Sequence, residues 1–203
     1  MDLLPGCDLR YHMIQKKNFD MECSRFFIAC LIEALEDIHE QKIVHRDVKP
    51  ENLVFDDKGY LRLVDFGLAL RSKSCSLGRT SGSVGYMAPE VSQGLPHGEA
   101  ADIFAIGVIA FECMTGRTPY PRGTTRLKYR DRIQQSQARV EKHSIPPGWS
   151  ENAADFINKC LLKDPKKRIG NRKGVQLLKK HSWFKGFNWE ALKTGDMVSP
   201  YLQ

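Results

Sequence analysis

The chain has 203 residues, 41% of them hydrophobic and 27% charged, and its 31 Lys and Arg against 24 Asp and Glu give a net charge of +7. These proportions suit one soluble globular domain, or a large piece of a two-lobed one, with enough chain to bury a sizeable core. The basic balance favours acidic partners in a general way, but the cations are dispersed without aromatic interleaving, so no nucleic-acid partner is expected.

In chain order, residues 20–40 read as an amphipathic helix, with Phe27, Leu31, Leu35 and Ile38 at helical spacing and Glu33, Glu36 and Glu40 between them. The period then changes. Short apolar runs at 53–55 and 61–64 flank Asp56-Asp57-Lys58-Gly59, which predicts a β-hairpin with glycine closing the turn. Residues 71–85 are rich in Ser, Gly, Arg and Thr and read as a loop. The nearly all-apolar stretch 102–115 predicts a helix buried on most sides, and a charged stretch at 127–140 a further helix. Two short helices are expected at 151–162 and 173–181, and the tail from 183 has aromatic residues but weak periodicity. The sequence has no internal repeat. Its longest apolar run, nine residues at 103–111, is too short for a membrane span, and the first residues lack the pattern of a signal peptide. The six cysteines, at 7, 23, 30, 75, 113 and 160, show neither C-x-x-C spacing nor a zinc pattern. Reduced thiols in a cytoplasmic protein are expected, with the nucleus also open.

The stretch that carries chemistry is His45-Arg46-Asp47-Val48-Lys49-Pro50-Glu51-Asn52, on a loop between the first helix and the hairpin. Asp65-Phe66-Gly67 begins thirteen residues after Asn52, and Ala88-Pro89-Glu90 closes a 26-residue segment counted from Asp65. Each triplet alone is weak evidence. In this order and spacing they form a strong signature. On these residues the chain resembles protein kinases, and Lys49, two residues after Asp47, resembles the serine/threonine type. The resemblance covers most of the chain. Gly6-Cys7-Asp8-Leu9-Arg10-Tyr11-His12 is similar to the segment after the hinge between the two lobes, and Asp102-Ile103-Phe104-Ala105-Ile106-Gly107 resembles the buried central helix. Asp164-Pro165-Lys166-Lys167-Arg168-Ile169-Gly170, His181-Ser182-Trp183-Phe184 and Phe187-Asn188-Trp189 resemble the end of an AGC-type catalytic domain, the group that includes cyclic-nucleotide-dependent kinases. The phrase from Asp8 to Met13 is also similar to the YANK branch.

The resemblance implies a protein-kinase-like fold, α+β overall. Residues 1–185 would form its mainly α-helical C-lobe with a small β-hairpin, and 186–203 an AGC-like C-terminal tail segment. It implies ATP-dependent phosphorylation of serine or threonine in a protein substrate, with ATP and Mg2+ as cofactors. Asp47 would accept the proton of the substrate hydroxyl, and Lys49 would hold the γ-phosphate. Asn52 and Asp65 would ligate Mg2+, and Leu4, Asp8, Glu51, Val54 and Val64 would contact the nucleotide. Asp8 and Glu51 also match positions at which basophilic AGC kinases present carboxylates to substrate arginines. A further acid is expected on the helix after the buried one, where the register places Arg130, or Asp131 if it shifts by one. Arg46 would pair with a phosphate on the activation segment, with Thr80 and Ser81 as the sites. The usual phospho-threonine aligns with Arg79, so the alternative is that Arg79 fills that place and no phosphate is needed. Ser83 would lie in the substrate-docking loop, and Glu90 and Arg168 would form a buried ion pair. His45 and the methionines Met13, Met87 and Met114 are expected to serve packing.

The glycine-rich loop, strand lysine and helix glutamate of the smaller lobe have no counterpart in these residues. Two readings stay open: a fragment or truncated gene model of an active kinase, and a catalytically inactive kinase-derived binding or regulatory protein. An N-lobe supplied by another chain is a possible partner.

Overall fold

The structure, a computed structural model, describes residues 4–16, 19–71, 81–170 and 174–202. A short helix α1 (Leu9–Lys16) comes first, buried through Leu9 and Met13. Asp20 then caps α2 (Met21–Glu40), its carboxylate accepting the Cys23 amide at 2.7 Å. The apolar stripe of α2 is buried through Phe27, Leu31 and Leu35, with Phe26, Ile28 and Ile32 beside it. The helix starts and stops within a residue of the expected range.

Two small antiparallel ladders follow. Strands β2 (Leu53–Phe55) and β3 (Leu61–Leu63) pair with Leu53 opposite Leu63 and Phe55 opposite Leu61. This is the hairpin expected from the sequence, with its second strand ending at Leu63 rather than at 64. Gly59 turns it in the left-handed region, at φ 76°. The second ladder joins β1 (Ile43–Val44) to β4 (Leu70–Arg71). It brackets the segment 45–69, which carries the first two signature triplets. Arg71, read as loop, belongs to this ladder, and residues 72–80 lie outside the described ones.

After a one-turn helix α3 (Pro89–Ser92), α4 runs over Glu99–Thr115. It starts three residues earlier than expected and ends at Gly116, in the left-handed conformation at φ 71°. Its residues from Ala101 to Met114 are all buried, because α2 and α6 (Glu151–Cys160) pack against it on different sides. At one contact, a Cβ built on Gly107 would lie 2.6 Å from Cys160 Cβ and 3.1 Å from Leu161 Cδ2, so only glycine allows this approach. Helix α5 (Arg126–Gln135) is capped by Thr125 and stops short of the expected 140, and 136–140 is not helical. Its exposed face is charged and only Tyr129 and Ile133 are buried, so little apolar pattern marks its end. Helices α7 (Gln176–Lys179) and α8 (Trp189–Thr194) are short.

The tail folds back onto the body. Tyr201 stacks on Phe55 with ring centroids 4.9 Å apart and meets Phe27 and His12 edge-on. Its hydroxyl lies 2.6 Å from His12 Nδ1, while the other ring nitrogen of His12 lies 2.6 Å from the Gly6 carbonyl. Phe156, Trp183, Phe184, Phe187 and Trp189 form a chain of ring contacts that ties α6 to α8. Met13, Met87 and Met114 are buried in the core. Among the described residues no helix is long and apolar enough to cross a membrane.

Candidate active site

The loop between β1 and β2 hangs from one buried carboxylate. Asp102, in the first turn of α4, is 1% exposed. Its Oδ2 accepts the His45 amide at 2.9 Å and lies 2.8 Å from His39 Nε2, and its Oδ1 accepts the Arg46 amide at 2.8 Å. A carboxylate so placed is tolerable only because donors surround it. These bonds also hold Arg46 at φ 69°, a left-handed conformation that costs about 1–2 kcal/mol for a residue with a side chain. His45 is fully buried, with Nε2 3.1 Å from the Val64 carbonyl and Nδ1 facing the Asp47 amide at 3.4 Å. It is a packing and hydrogen-bonding group, as the sequence suggests.

The Asp47 side chain is next along the loop. Its Oδ1 accepts the amide of Ser83 at 2.9 Å and the Ser83 hydroxyl at 2.8 Å. Its Oδ2 accepts Lys49 Nζ at 2.7 Å and Asn52 Nδ2 at 3.4 Å. Lys49 also donates to the Ser83 hydroxyl at 3.0 Å, and Asn52 donates to the Asp47 carbonyl at 2.9 Å. Burial raises the carboxyl's pKa, but the Lys49 ammonium and the Ser83 donors outweigh it and hold Asp47 below the usual carboxylate range. Ser83, read from the sequence as a substrate-docking residue, therefore touches Asp47 and Lys49 directly.

Asn52 is buried and spends its amide nitrogen on Asp47, which leaves its amide oxygen for a cation. Asp65 is exposed, at φ 61°, with Oδ1 accepting the Gly67 amide at 3.1 Å. Among the described residues no cluster of three or more His, Cys, Asp or Glu side chains would hold a metal unaided. Two oxygen donors of this kind do fit Mg2+ that takes its remaining ligands from water and phosphate. Val54 and Val64 are half-buried in and just after the hairpin strands, and Leu4 is half-buried ahead of α1. Asp8 caps α1, its Oδ1 accepting the Tyr11 amide at 2.8 Å.

The Arg46 guanidinium donates from Nε to the Leu68 carbonyl at 2.7 Å. Its buried Nη1 and the buried Ser81 hydroxyl have no hydrogen-bond partner among the described residues. Thr80 and Arg79 lie outside those residues. Further off, Arg168 forms a two-pronged ion pair with Glu90, at 2.7 and 2.9 Å, and adds bonds to the Leu162, Lys163 and Ala100 carbonyls. That pair anchors α3, and with it the end of the segment that carries Ser83.

Three participants escaped the sequence reading. Asp102 was noticed only as part of a motif, although an acid opening an apolar helix is itself a signal. Arg10 likewise stands only within a quoted segment, and Glu112 is not marked by any motif. Glu51, read as a nucleotide or substrate contact, accepts Arg10 Nε at 3.0 Å. The reading looked for the partner carboxylate on α5, at Arg130 or Asp131. In the structure Arg130 and Asp131 face each other at 3.6 Å on α5, and the second carboxylate that meets Arg10 is Glu112, on α4.

Comparison with known proteins matches the protein kinase domain family to residues 1–184. Human cGMP-dependent protein kinase 2 is 37% identical over 197 residues, covering 96% of this chain and 25% of that protein. Protein kinase 3 of Dictyostelium discoideum is 32% identical over 212 residues, covering 99% of the chain and 23% of that protein. The serine/threonine-protein kinase AtPK1/AtPK6 of Arabidopsis thaliana is 32% identical over 203 residues, covering 99% and 42%. The chain thus spans less than half the length of each of these relatives.

Proposed function

The chain belongs to the protein kinase domain family, among relatives that are serine/threonine kinases, and from that premise we propose that it carries the substrate side of a protein serine/threonine kinase centre. The observation that supports this most directly is the Asp47 carboxylate, kept ionised between Lys49 and Ser83 and tied to Asn52. On this reading a serine or threonine hydroxyl displaces one of those donors and gives its proton to Asp47 as it attacks. Lys49 offsets the charge of the phosphoryl group in transit. ATP with Mg2+ would be the phosphoryl donor; Asn52 and Asp65 would hold the metal, and Leu4, Val54 and Val64 would contact the nucleotide. Bound there, Mg2+ neutralises phosphate charge. Arg46, whose buried Nη1 has no partner among the described residues, would pair with a phosphate on the activation segment, at Thr80 or Ser81. The protein acts on protein substrates in the cytoplasm or nucleus.

Phe66 and Leu68, beside Asp65, are 48% and 38% exposed. That apolar surface suits a covering lobe, which brings the glycine-rich loop and lysine that complete nucleotide binding. The 203-residue chain alone is expected to bind Mg·ATP weakly and transfer phosphate negligibly. Joined to the smaller lobe of a relative, it is expected to phosphorylate serine peptides, with Asp47→Asn lowering kcat by about 10²- to 10⁴-fold. If the joined protein were no faster than its Asp47→Asn variant, the alternative of an inactive binding protein would replace this reading.

A further inference from the structure

A second charged cluster adjoins the one around Asp47. Glu51 lies two residues beyond Lys49, on the 3-10 turn Pro50–Asn52, and Tyr86 lies three residues beyond Ser83. The two segments that grip Asp47 therefore both continue into this cluster. At its centre is a guanidinium from neither segment. Arg10, on α1, donates from Nε to Glu51 at 3.0 Å, and from its two terminal nitrogens to the two Glu112 oxygens at 2.9 and 3.1 Å. It also donates to the Tyr86 hydroxyl, which in turn donates to Glu112 at 2.5 Å. Apart from a contact of Nη1 with Met13 Sδ at 3.6 Å, these contacts are of the kind that recognises an arginine, namely a bidentate carboxylate, a second carboxylate and a phenol.

The burial is graded. Glu112, on α4, is 4% exposed and forms the floor, and Glu51, at 41%, forms the mouth, with Arg10 between them at 13%. A second arginine, Arg122, reaches Glu112 from the surface at 3.1 Å. With Arg10 removed, two carboxylates would face one remaining cation, around a space the size of a guanidinium. Arg122 and Tyr86 would still serve Glu112, so no buried charge would be left without a partner.

We propose that Arg10 is a built-in occupant of an arginine-binding pocket on the substrate path, so that the protein does not select a cationic residue near the acceptor and would do so once Arg10 is shortened. This rests on the kinase reading for the word substrate, but the pocket itself does not. An intramolecular guanidinium excludes a competing one by mass action, because its local concentration exceeds that of any peptide. Specificity is then set by what is refused, since an arginine arriving at a filled, neutralised site meets Arg10 and Arg122 as like charges. Arg10 is a specificity-determining residue and takes no part in the reaction.

The test uses the full 203-residue chain. In Arg10→Ala, millimolar ethylguanidinium is expected to raise the thermal midpoint, and to leave the native chain and Arg10→Met unmoved. Met fills the same space without donors, so a nonspecific salt effect would show there too. In parallel, arginine is walked through the positions before the serine of a labelled peptide and binding is read by fluorescence polarisation. The native chain should show no preference, while Arg10→Ala should bind at least about tenfold more tightly when arginine stands at one position. Absence of an ethylguanidinium shift in folded Arg10→Ala overturns the proposal. So does a native chain that already selects arginine, and this second arm decides the matter if Arg10→Ala does not fold. Neither arm needs nucleotide or turnover, so a chain joined to a smaller lobe but unable to bind Mg·ATP would sink the kinase reading and leave the pocket to stand or fall by itself.

Discussion

Asp47 is an acid under opposed influences. Burial favours its neutral form, but Lys49 and Ser83 favour the anion more strongly and leave its pKa below the ordinary value. An acid whose pKa is lowered by folding stabilises the fold fully above its unfolded value, about 3.9, and loses that contribution as pH falls through the lower folded value. Urea midpoints measured from neutral pH down to about pH 2 should fall on acidification, and Asp47→Asn should flatten the acid limb. Equal slopes in the two proteins would mean that Lys49 and Ser83 do not stabilise the charge. Asp47, Lys49 and Asn52 were legible in the sequence because one short motif holds them all. Arg10 and Glu112 stand 102 residues apart, and Arg46 and Asp102 56 apart. Nothing local in the chain announces such pairings; they exist only once α1, the loop after β1 and α4 have packed.

Between elements, α4 approaches α6 closely at Gly107. Replacing a helical glycine by alanine ordinarily stabilises a helix by about 1 kcal/mol. Here the new methyl would meet Cys160 Cβ at 2.6 Å, a contact that neither helix relieves without shifting. Overpacking of this kind costs about 1–3 kcal/mol, so Gly107→Ala is expected to lower stability on balance. A raised urea midpoint would show that the two helices can separate freely. The buried thiols nearby are packing groups, with burial pushing Cys30 and Cys113 up to about 12. Helices α2 and α4 could be read from sequence because each carries a long pattern, one amphipathic and one wholly apolar. Helix α1 could not, because only Leu9 and Met13 are buried while Tyr11 and Ile14 face outward. The ladder of β1 with β4 could not either, since two residues per strand display no period.

For the molecule as a whole, the tail acts as a strap across the face that α1, α2 and the hairpin present. Tyr201 contributes most visibly, with Phe55 beneath it, Phe27 and His12 at its edges and Lys16 Nζ 4.4 Å above the ring. Tyr201→Ala is expected to cost about 1–3 kcal/mol of unfolding free energy, read as a lower denaturation midpoint. An unchanged midpoint would mean that the tail merely lies on the surface. The opposite condition holds at the loop after β1. Because the amides of His45 and Arg46 donate to the buried carboxylate of Asp102, in the first turn of α4 and against His39 of α2, their hydrogens are shut away from solvent until those helices part. In deuterated water they should exchange only through global opening, as slowly as amides in the middle of α4. The backbone that aims Asp47 thus belongs to the last unit to come apart, and any fluctuation that disorganised it would already have unfolded the core.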